Sequence, residues 1–433
     1  MSVGGATVVV IGAGYPGKRR AYVRMAELGA TLVVVDEPGH WSGSLVAEGV
    51  AAAWLPAPVD GDPEHDAAAV LDALARADIR PNGVLTFWED SVCATARVAA
   101  ALGLPGNPPE AVDAARSKVR TRDLSARLGL PTPRARRVRS LDELFAAAVH
   151  VGFPAVVKPE FGAGAVGCIR VDDAESLPGV YSVVRSVVDP ELDVIFRAGN
   201  DLLLEEYLDG VEFDVDLVMQ DGTCLFSSVS QNWPTDEPSF QESGLHCPPD
   251  HDRKAVRRLV EHVVETVRAF GLRRGVLHVE GKTTSRGPRI VEVNARMGGG
   301  RVHQFVEAVW GVDLVEAELR SCLDLPHTFR ASRRPQAAAV DAIVYAPATG
   351  RLEDLPIAEV ERAGCLALDV DVAVSIGSEV LGPEAVFATA LAEVTLTAKD
   401  LRTARALVAE VLRDPPRVAR SAKLDKPHRE ADL

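Results

Sequence analysis

The chain opens with two hydrophobic patterns in regular exchange. "ATVVVIGAG" (6–14) and "TLVVVDEPG" (31–39) are continuous apolar runs ending at glycines, as in strands buried on both faces. Between them, "RRAYVRMAELGA" (19–30) spaces its apolar residues for a helix that stops at Gly29. A helix around 64–77, a strand "NGVLTFW" (82–88) and a helix "SVCATARVAAALG" (91–103) continue the exchange. This alternation predicts a parallel, doubly wound, Rossmann-like sheet over 1–108, left through the Pro/Gly-rich "LPGNPPE".

From residue 109 the pattern changes. One helix is expected over "PEAVDAARSKVRTRDLSARLG" and another over "SLDELFAAAVHVG". Strands then follow in runs: "PAVVKPE", "GCIRV", "LLLEEYL", "EFDVDLVMQDG", "CLFSSVSQ", "VLHVEGKTT" and "PRIVEVNAR". Runs of strands with turn signals predict an antiparallel or mixed sheet, an α+β unit over 109–330. "AVDAIVYAP", "VAVSIG" and a helix near 400–412 predict a third, small α+β domain over 331–413. The polar residues 414–433 are expected to form a flexible tail. The fold class is therefore multidomain α/β plus α+β.

Composition narrows the function. A formal charge of −15 leaves no basic surplus for a nucleic-acid backbone, so no nucleic-acid partner is expected. No run of eighteen apolar residues and no charged leader are found, which points to a cytoplasmic protein without a membrane partner. Six cysteines (93, 168, 224, 247, 322, 365) stand far apart and read as reduced structural thiols.

Three motifs carry chemistry. "GAGYPG" fits a dinucleotide fingerprint through Gly12, Gly14 and Gly17, with Asp36 where a ribose-binding acid would stand. That keeps an oxidoreductase open; the plainer reading is a sharp strand-to-helix turn, with Lys18, Arg19 and Arg20 able to meet an anion. "VVKPEFGAGAVG" sets Lys158 at a strand end before Gly162, Gly164 and Gly167, whose backbone N–H groups can approach phosphate oxygens. Lys118 upstream can add a second phosphate contact. In "LLLEEYLDGVEFDVD" a backbone edge can recognise adenine and Glu212 can accept from ribose hydroxyls. Taken alone, the Glu212, Asp214, Asp216 alternation reads as an exposed strand face, and Lys158 as a snorkelling lysine.

The third motif is the pair "VLHVEGK" and "IVEVNARMGGG", joined by the turn-rich "GKTTSRGPR" as a hairpin. Period two puts Glu292 and Asn294 on one face, and Glu280 across the hairpin completes three hard oxygen ligands. Such a set suits Mg²⁺ bridging phosphates; the plain alternative is a solvated hairpin face.

The ordered series Lys118, "VVKPEFGAGAVG", "EEYLDGVEFDVD", "HVE", "VEVNARMGGG" resembles the ATP-grasp superfamily of carboxylate–amine ligases over roughly residues 1–330. Its ending, E-x-N-x-R-x-G-G, looks most like the L-amino-acid ligases and carnosine-synthase-like enzymes. The resemblance implies ATP held by Lys118, Lys158 and the glycine loop, with adenine at Glu205, Glu206 and Leu208 and ribose at Glu212. It implies magnesium, as two ions with manganese as a substitute, on Glu280, Glu292 and Asn294. Arg296 and the N–H groups of Gly298 and Gly299 would steady a carboxylate or oxyanion. The implied reaction makes an acyl phosphate from an acid, couples it to an amine and releases ADP and phosphate. Small-molecule acids and amines, amino acids among them, are the expected partners, and a homodimer stays open. One departure is Ala165, where the family's grip usually carries a serine.

Candidate substrate residues are Trp88 and Glu89 at the mouth of the first sheet, and Trp233, Glu242 and His246 in an irregular segment. His278 and Gly300 beside the arginine complete them, with a hydrogen-bonded core histidine as the plain reading of His278. A biotin-carboxylase-like carboxylase shares much of the series, although no Met-Lys-Met-like attachment segment is present. A nucleotide sensor without turnover is a further alternative, at odds with a complete metal set.

Overall fold

The computed structural model describes residues 2–59, 61–189, 196–357, 365–383, 385 and 387–420. β1 (Thr7–Ile11), β2 (Thr31–Asp36), β3 (Ala53–Pro56) and β4 (Gly83–Leu85) form a parallel sheet in the order β3-β2-β1-β4. Val8–Ile11 and Leu32–Val35 are all buried, as the continuous apolar runs require. β4 is shorter than expected. Thr86, Phe87 and Trp88 leave the ladder and carry the chain toward the cavity described below.

The fingerprint turn is filled by the protein itself, which overturns the dinucleotide reading. A Cβ on Gly12 would lie 2.1 Å from Ser91 Oγ, and one on Gly14 2.6 Å from the Trp88 ring. The buried Asp36 carboxylate accepts from the Ala13 N–H at 2.8 Å and the Ser42 hydroxyl at 3.1 Å, so it braces the turn.

β5 (Ala135–Val138), β6 (Ala155–Pro159), β7 (Ile169–Val171) and β8 (Leu202–Glu206) form an antiparallel sheet in the order β5-β8-β6-β7. The largest sheet takes β9 (Val211–Gln220), β10 (Thr223–Asn232), β11 (Gly244–Cys247), β12 (Gly275–Thr284), β13 (Gly287–Asn294) and β14 (Ala338–Tyr345). Beyond β15 (Gly350–Asp354), β16 (Cys365–Val372) also joins it, and past β17 (Glu379–Val380) so does β18 (Ala390–Ala398). Its order is β13-β12-β9-β10-β11-β14-β18-β16, antiparallel throughout.

β14, expected in a separate third domain, therefore extends the central sheet, followed by β18 and β16. Residues 373–377, expected as a strand, follow the end of β16 as bends and turns. β19 (Arg417–Arg420) pairs with β15, so part of the expected tail is a strand; 421–433 lie outside the described residues.

Two helical findings matter for the site. Arg253–Phe270, a helix not among the expected elements, is capped by Asp252 and ended by left-handed Gly271. Its Leu259, Val263, Val267 and Phe270 pack under the β12–β13 hairpin. The helix expected over 109–129 is two helices, Pro109–Arg116 and Lys118–Arg127, broken at Ser117. Ser117 is extended (φ −95°, ψ 116°), its hydroxyl accepts from the Arg120 N–H at 3.1 Å, and it donates to Glu160.

Candidate active site

A cavity of about 520 Å³ lies where the three sheets meet. Most residues singled out in the sequence line it: Trp88, Glu89, Lys118, Lys158, Gly162, Gly164, Glu205, Glu206, Leu208, Glu212, Glu242, His278, Glu280, Glu292, Asn294, Arg296, Gly299 and Gly300.

At the glycine-loop end, Lys158 projects from β6 and its Nζ lies 2.7 Å from Glu205 Oε1 on β8. Arg122 grips the same carboxylate, Nε to Oε2 at 2.5 Å, and donates to the Val291 carbonyl at 2.6 Å. Burial raises the Glu205 pKa, but the two cations outweigh it and hold the carboxyl down at about 2. The Glu205 side chain is thus committed to Lys158 and Arg122, so its carboxylate is not free for the expected adenine contact. Glu206 pairs outward with Arg286 at 2.6 Å, and Glu212 lies 3.3 Å from Lys282. Gly167 is off the wall: it is left-handed (φ +77°) and packs on Pro159 and Val188. Ala165 also holds a left-handed backbone, φ +58°.

Lys118 begins the second helix of the broken pair and reaches across to β13, Nζ to Glu292 Oε2 at 3.1 Å. The β12–β13 register sets Glu280 opposite Glu292 and His278 opposite Asn294, so all four share one face. Glu280 is pushed well above the usual carboxylate range, first by burial and then by Glu292 and Asp214. Burial pushes Glu292 up too, yet Lys118, Arg116 and Lys158 draw it below its usual value.

His278 Nδ1 lies 2.9 Å from Asp216; burial opposes its charge, but Asp216 raises its pKa to about 9. Asp214 and Asp216 are buried, which corrects the exposed-face reading; Asn232 donates to Asp214 at 3.0 Å.

Among the described residues no group of three or more His, Cys, Asp and Glu side chains is arranged to hold a metal ion. The oxygen set here is two carboxylates and the Asn294 amide. Two half-buried carboxylates facing each other are the condition a divalent cation relieves, so the donors fit magnesium.

Beside Asn294, whose Oδ1 accepts from Arg296 Nη2 at 3.5 Å, Arg296 Nε sits 2.6 Å from Glu89 Oε2, and Nη1 donates to the Met297 carbonyl at 2.9 Å. Glu89 thus faces the arginine, not the free amino group expected of it. Gly298 is behind the wall, where a Cβ would meet His278 Nδ1 at 2.8 Å. It lets the turn pack against the histidine.

His246 is corrected outright. Leu245 faces the cavity, and period two turns His246 to the other side of β11, where it accepts from Trp233 Nε1 at 3.2 Å and meets Arg405 at 3.1 Å. Trp233 likewise packs in the core under the helix Leu401–Val411. Burial, then Asp214 and Glu212, raise the Glu242 carboxyl to about 7.

Tyr15, Arg116, Arg122, Asp341 and Glu393 were not anticipated. For Arg122 the signal was available, since it stands one helical turn after Lys118 on the same face.

The ATP-grasp domain family matches residues 151–304, and the ATP-grasp N-terminal domain family matches residues 24–106. The chain carries an ATP-grasp domain preceded by that family's N-terminal domain. It is 37% identical over 367 residues to carnosine synthase 1 of Gallus gallus, covering 81% of this chain and 38% of that protein. It is 25% identical over 252 residues to the alanine–anticapsin ligase of Bacillus subtilis (strain 168), covering 54% of this chain and 52% of the ligase. The chain thus spans about half or less of the length of these curated relatives. An L-amino acid ligase structure from Bacillus licheniformis superposes with a TM-score of 0.79 at 23% identity, over 96% of this chain and 99% of that one. At that identity the likeness speaks for the ATP-grasp fold alone.

Proposed function

We propose that this protein is an ATP-dependent ligase that energises the carboxylate of a small molecule, an amino acid in the first instance, and couples it to an amine with release of ADP and phosphate. The observation that carries the reading is the cross-strand pairing of Glu280 with Glu292, with Lys118 on the latter and Asn294 two residues on.

Lys118, Lys158 and the N–H groups around Gly162 and Gly164 hold the triphosphate, while the backbone from Glu206 to Leu208 takes adenine and Glu212 the ribose. Glu280, Glu292 and Asn294 would hold magnesium, which when bound neutralises charge on the phosphoryl group in transfer. The two lysines add to that neutralisation from the protein side. A carboxylate is a poor electrophile; as an acyl phosphate it has a good leaving group, and attack by an amine nitrogen expels phosphate. Arg296, with the N–H of Gly299, would steady the oxyanion of that addition. The names of the relatives, a carnosine synthase and an alanine–anticapsin ligase, support amide formation. Likeness to a biotin carboxylase, TM-score 0.66 at 15% identity, speaks for fold alone.

The test is ADP and phosphate release over a matrix of amino-acid pairs. Release only when an acid and an amine are both present supports the reading; a requirement for bicarbonate, or none for an amine, sinks it. Glu292→Gln should lower turnover by roughly a hundredfold or more. It should also abolish the magnesium-dependent part of thermal stabilisation by ATP.

A further inference from the structure

Charges around the cavity fall into two groups. Lys118, Lys158, Glu205 and Glu292 surround Cys168 at the glycine-loop end. Tyr15, Lys18, Glu89, Arg296, Arg301 and Glu393 form the second group. Within it the Gly300 N–H donates to Tyr15 Oη at 3.2 Å, and the Lys18 ammonium lies 5.3 Å from the centre of the Tyr15 ring.

Each arginine of this second group is already neutralised. Arg296 sits against Glu89, and Arg301 against Asp369 and Asp371. Of the two arginines that follow Lys18 in the sequence, Arg19 pairs with Glu48 and Arg20 with Asp369. Among the described residues the Lys18 ammonium makes no hydrogen bond or ion pair beyond its contact with the Tyr15 ring, though it lines the cavity. Burial first, and then Arg296, draw its pKa down to about 7. A cation disfavoured by its surroundings yet turned into a cavity is matched by an anion that arrives with the substrate.

We infer that Lys18 binds the free carboxylate of the amine-donating substrate, so that the donor is an amino acid and not a simple amine. The inference rests on the ligase reading above and deepens it. The acid substrate's own carboxylate has to lie by Glu280, Glu292 and Arg296 to receive the phosphoryl group, and it loses its charge there. The carboxylate that keeps its charge through the reaction is the donor's, and the unpaired cation stands with Tyr15, Glu89 and Arg296, outside the set of Lys118, Lys158, Glu205 and Glu292. Asp341 and Glu393, also on the wall, present acid groups to the donor's amino end.

The test offers each common L-amino acid as donor beside its carboxamide, which keeps the amine and side chain and removes the negative charge. Wild type should prefer the free acid. Lys18→Met should reduce the ratio of kcat/KM for amino acid over carboxamide by about ten- to a hundredfold, mostly through the donor's KM. Lys18→Arg should restore most of the ratio. Thermal melts of both variants check that they fold.

An unchanged ratio in Lys18→Met, or a rise in the KM of the acid substrate in place of the donor's, overturns the inference while leaving the ligase reading standing. No ADP release with any pair removes the ligase reading, and the inference with it.

Discussion

Glu205 illustrates how one buried carboxylate links stability to the phosphate grip. Its two cationic partners come from different elements, Arg122 from a helix and Lys158 from β6. With its carboxyl at about 2 against an ordinary 4.5, the folded state favours the ionised form. That contribution is complete above pH 4.5 and is lost as pH falls from there toward 2. At neutral pH it amounts to about 3 kcal/mol. Glu205→Gln should therefore lower the urea midpoint strongly at pH 7, and its gap to wild type should narrow as the pH is taken down toward 3. A gap independent of pH would show that the ion pairs contribute little. Nucleotide affinity should fall as well, because Lys158 loses the group that aims it.

Among the elements, the crossing of β8 into β9 is tightly constrained. Gly210 holds φ +88°, and a Cβ there would lie 2.2 Å from the Thr283 carbonyl oxygen on β12. Gly210→Ala must push the segment that carries Leu208 and Glu212 away from β12. It should cost upward of about 2 kcal/mol and weaken ATP binding. Gly287→Ala is the control: φ +89° but nothing within 4 Å, so strain alone, about 1 kcal/mol, with ATP affinity held. Equal effects of the two on nucleotide affinity would remove the argument from close packing.

The same stretch shows where sequence reading succeeds and stops. The hairpin of β12 and β13 was legible because period-two strands and a glycine turn are local signals. So was the parallel first sheet, from its unbroken apolar runs. The break at Ser117 was not, because it depends on Glu160, 43 residues away, taking the serine hydroxyl. Nor was the burial of Asp214 and Asp216, whose partners Asn232 and His278 arrive from other strands. His246 failed on parity: in a strand of four residues after an irregular segment, one step of register exchanges the faces.

At the scale of the whole molecule, the pairing of β14 with β11 decides whether the residues after 330 are an accessory or a wall of the site. Gly244–Cys247 pair with Ala339–Ala342, and β14 then pairs along its length with β18. Ala339 packs with Cys247, Phe305 and Val309, while Asp341, Ile343 and Glu393 line the cavity. The first domain leans on the same region, since Arg20 pairs with Asp369. A chain ending at residue 330 would expose β11 as an open edge above an apolar strip, a template for aggregation. Residues 1–330 expressed alone should therefore melt without a sharp transition, associate on concentration, and show no stabilisation by ATP with magnesium, whereas the full chain melts cooperatively and is stabilised. If 1–330 proves monomeric, cooperative and nucleotide-responsive, the later strands are dispensable to the grip, and their continuity with the central sheet has no part in holding the site together.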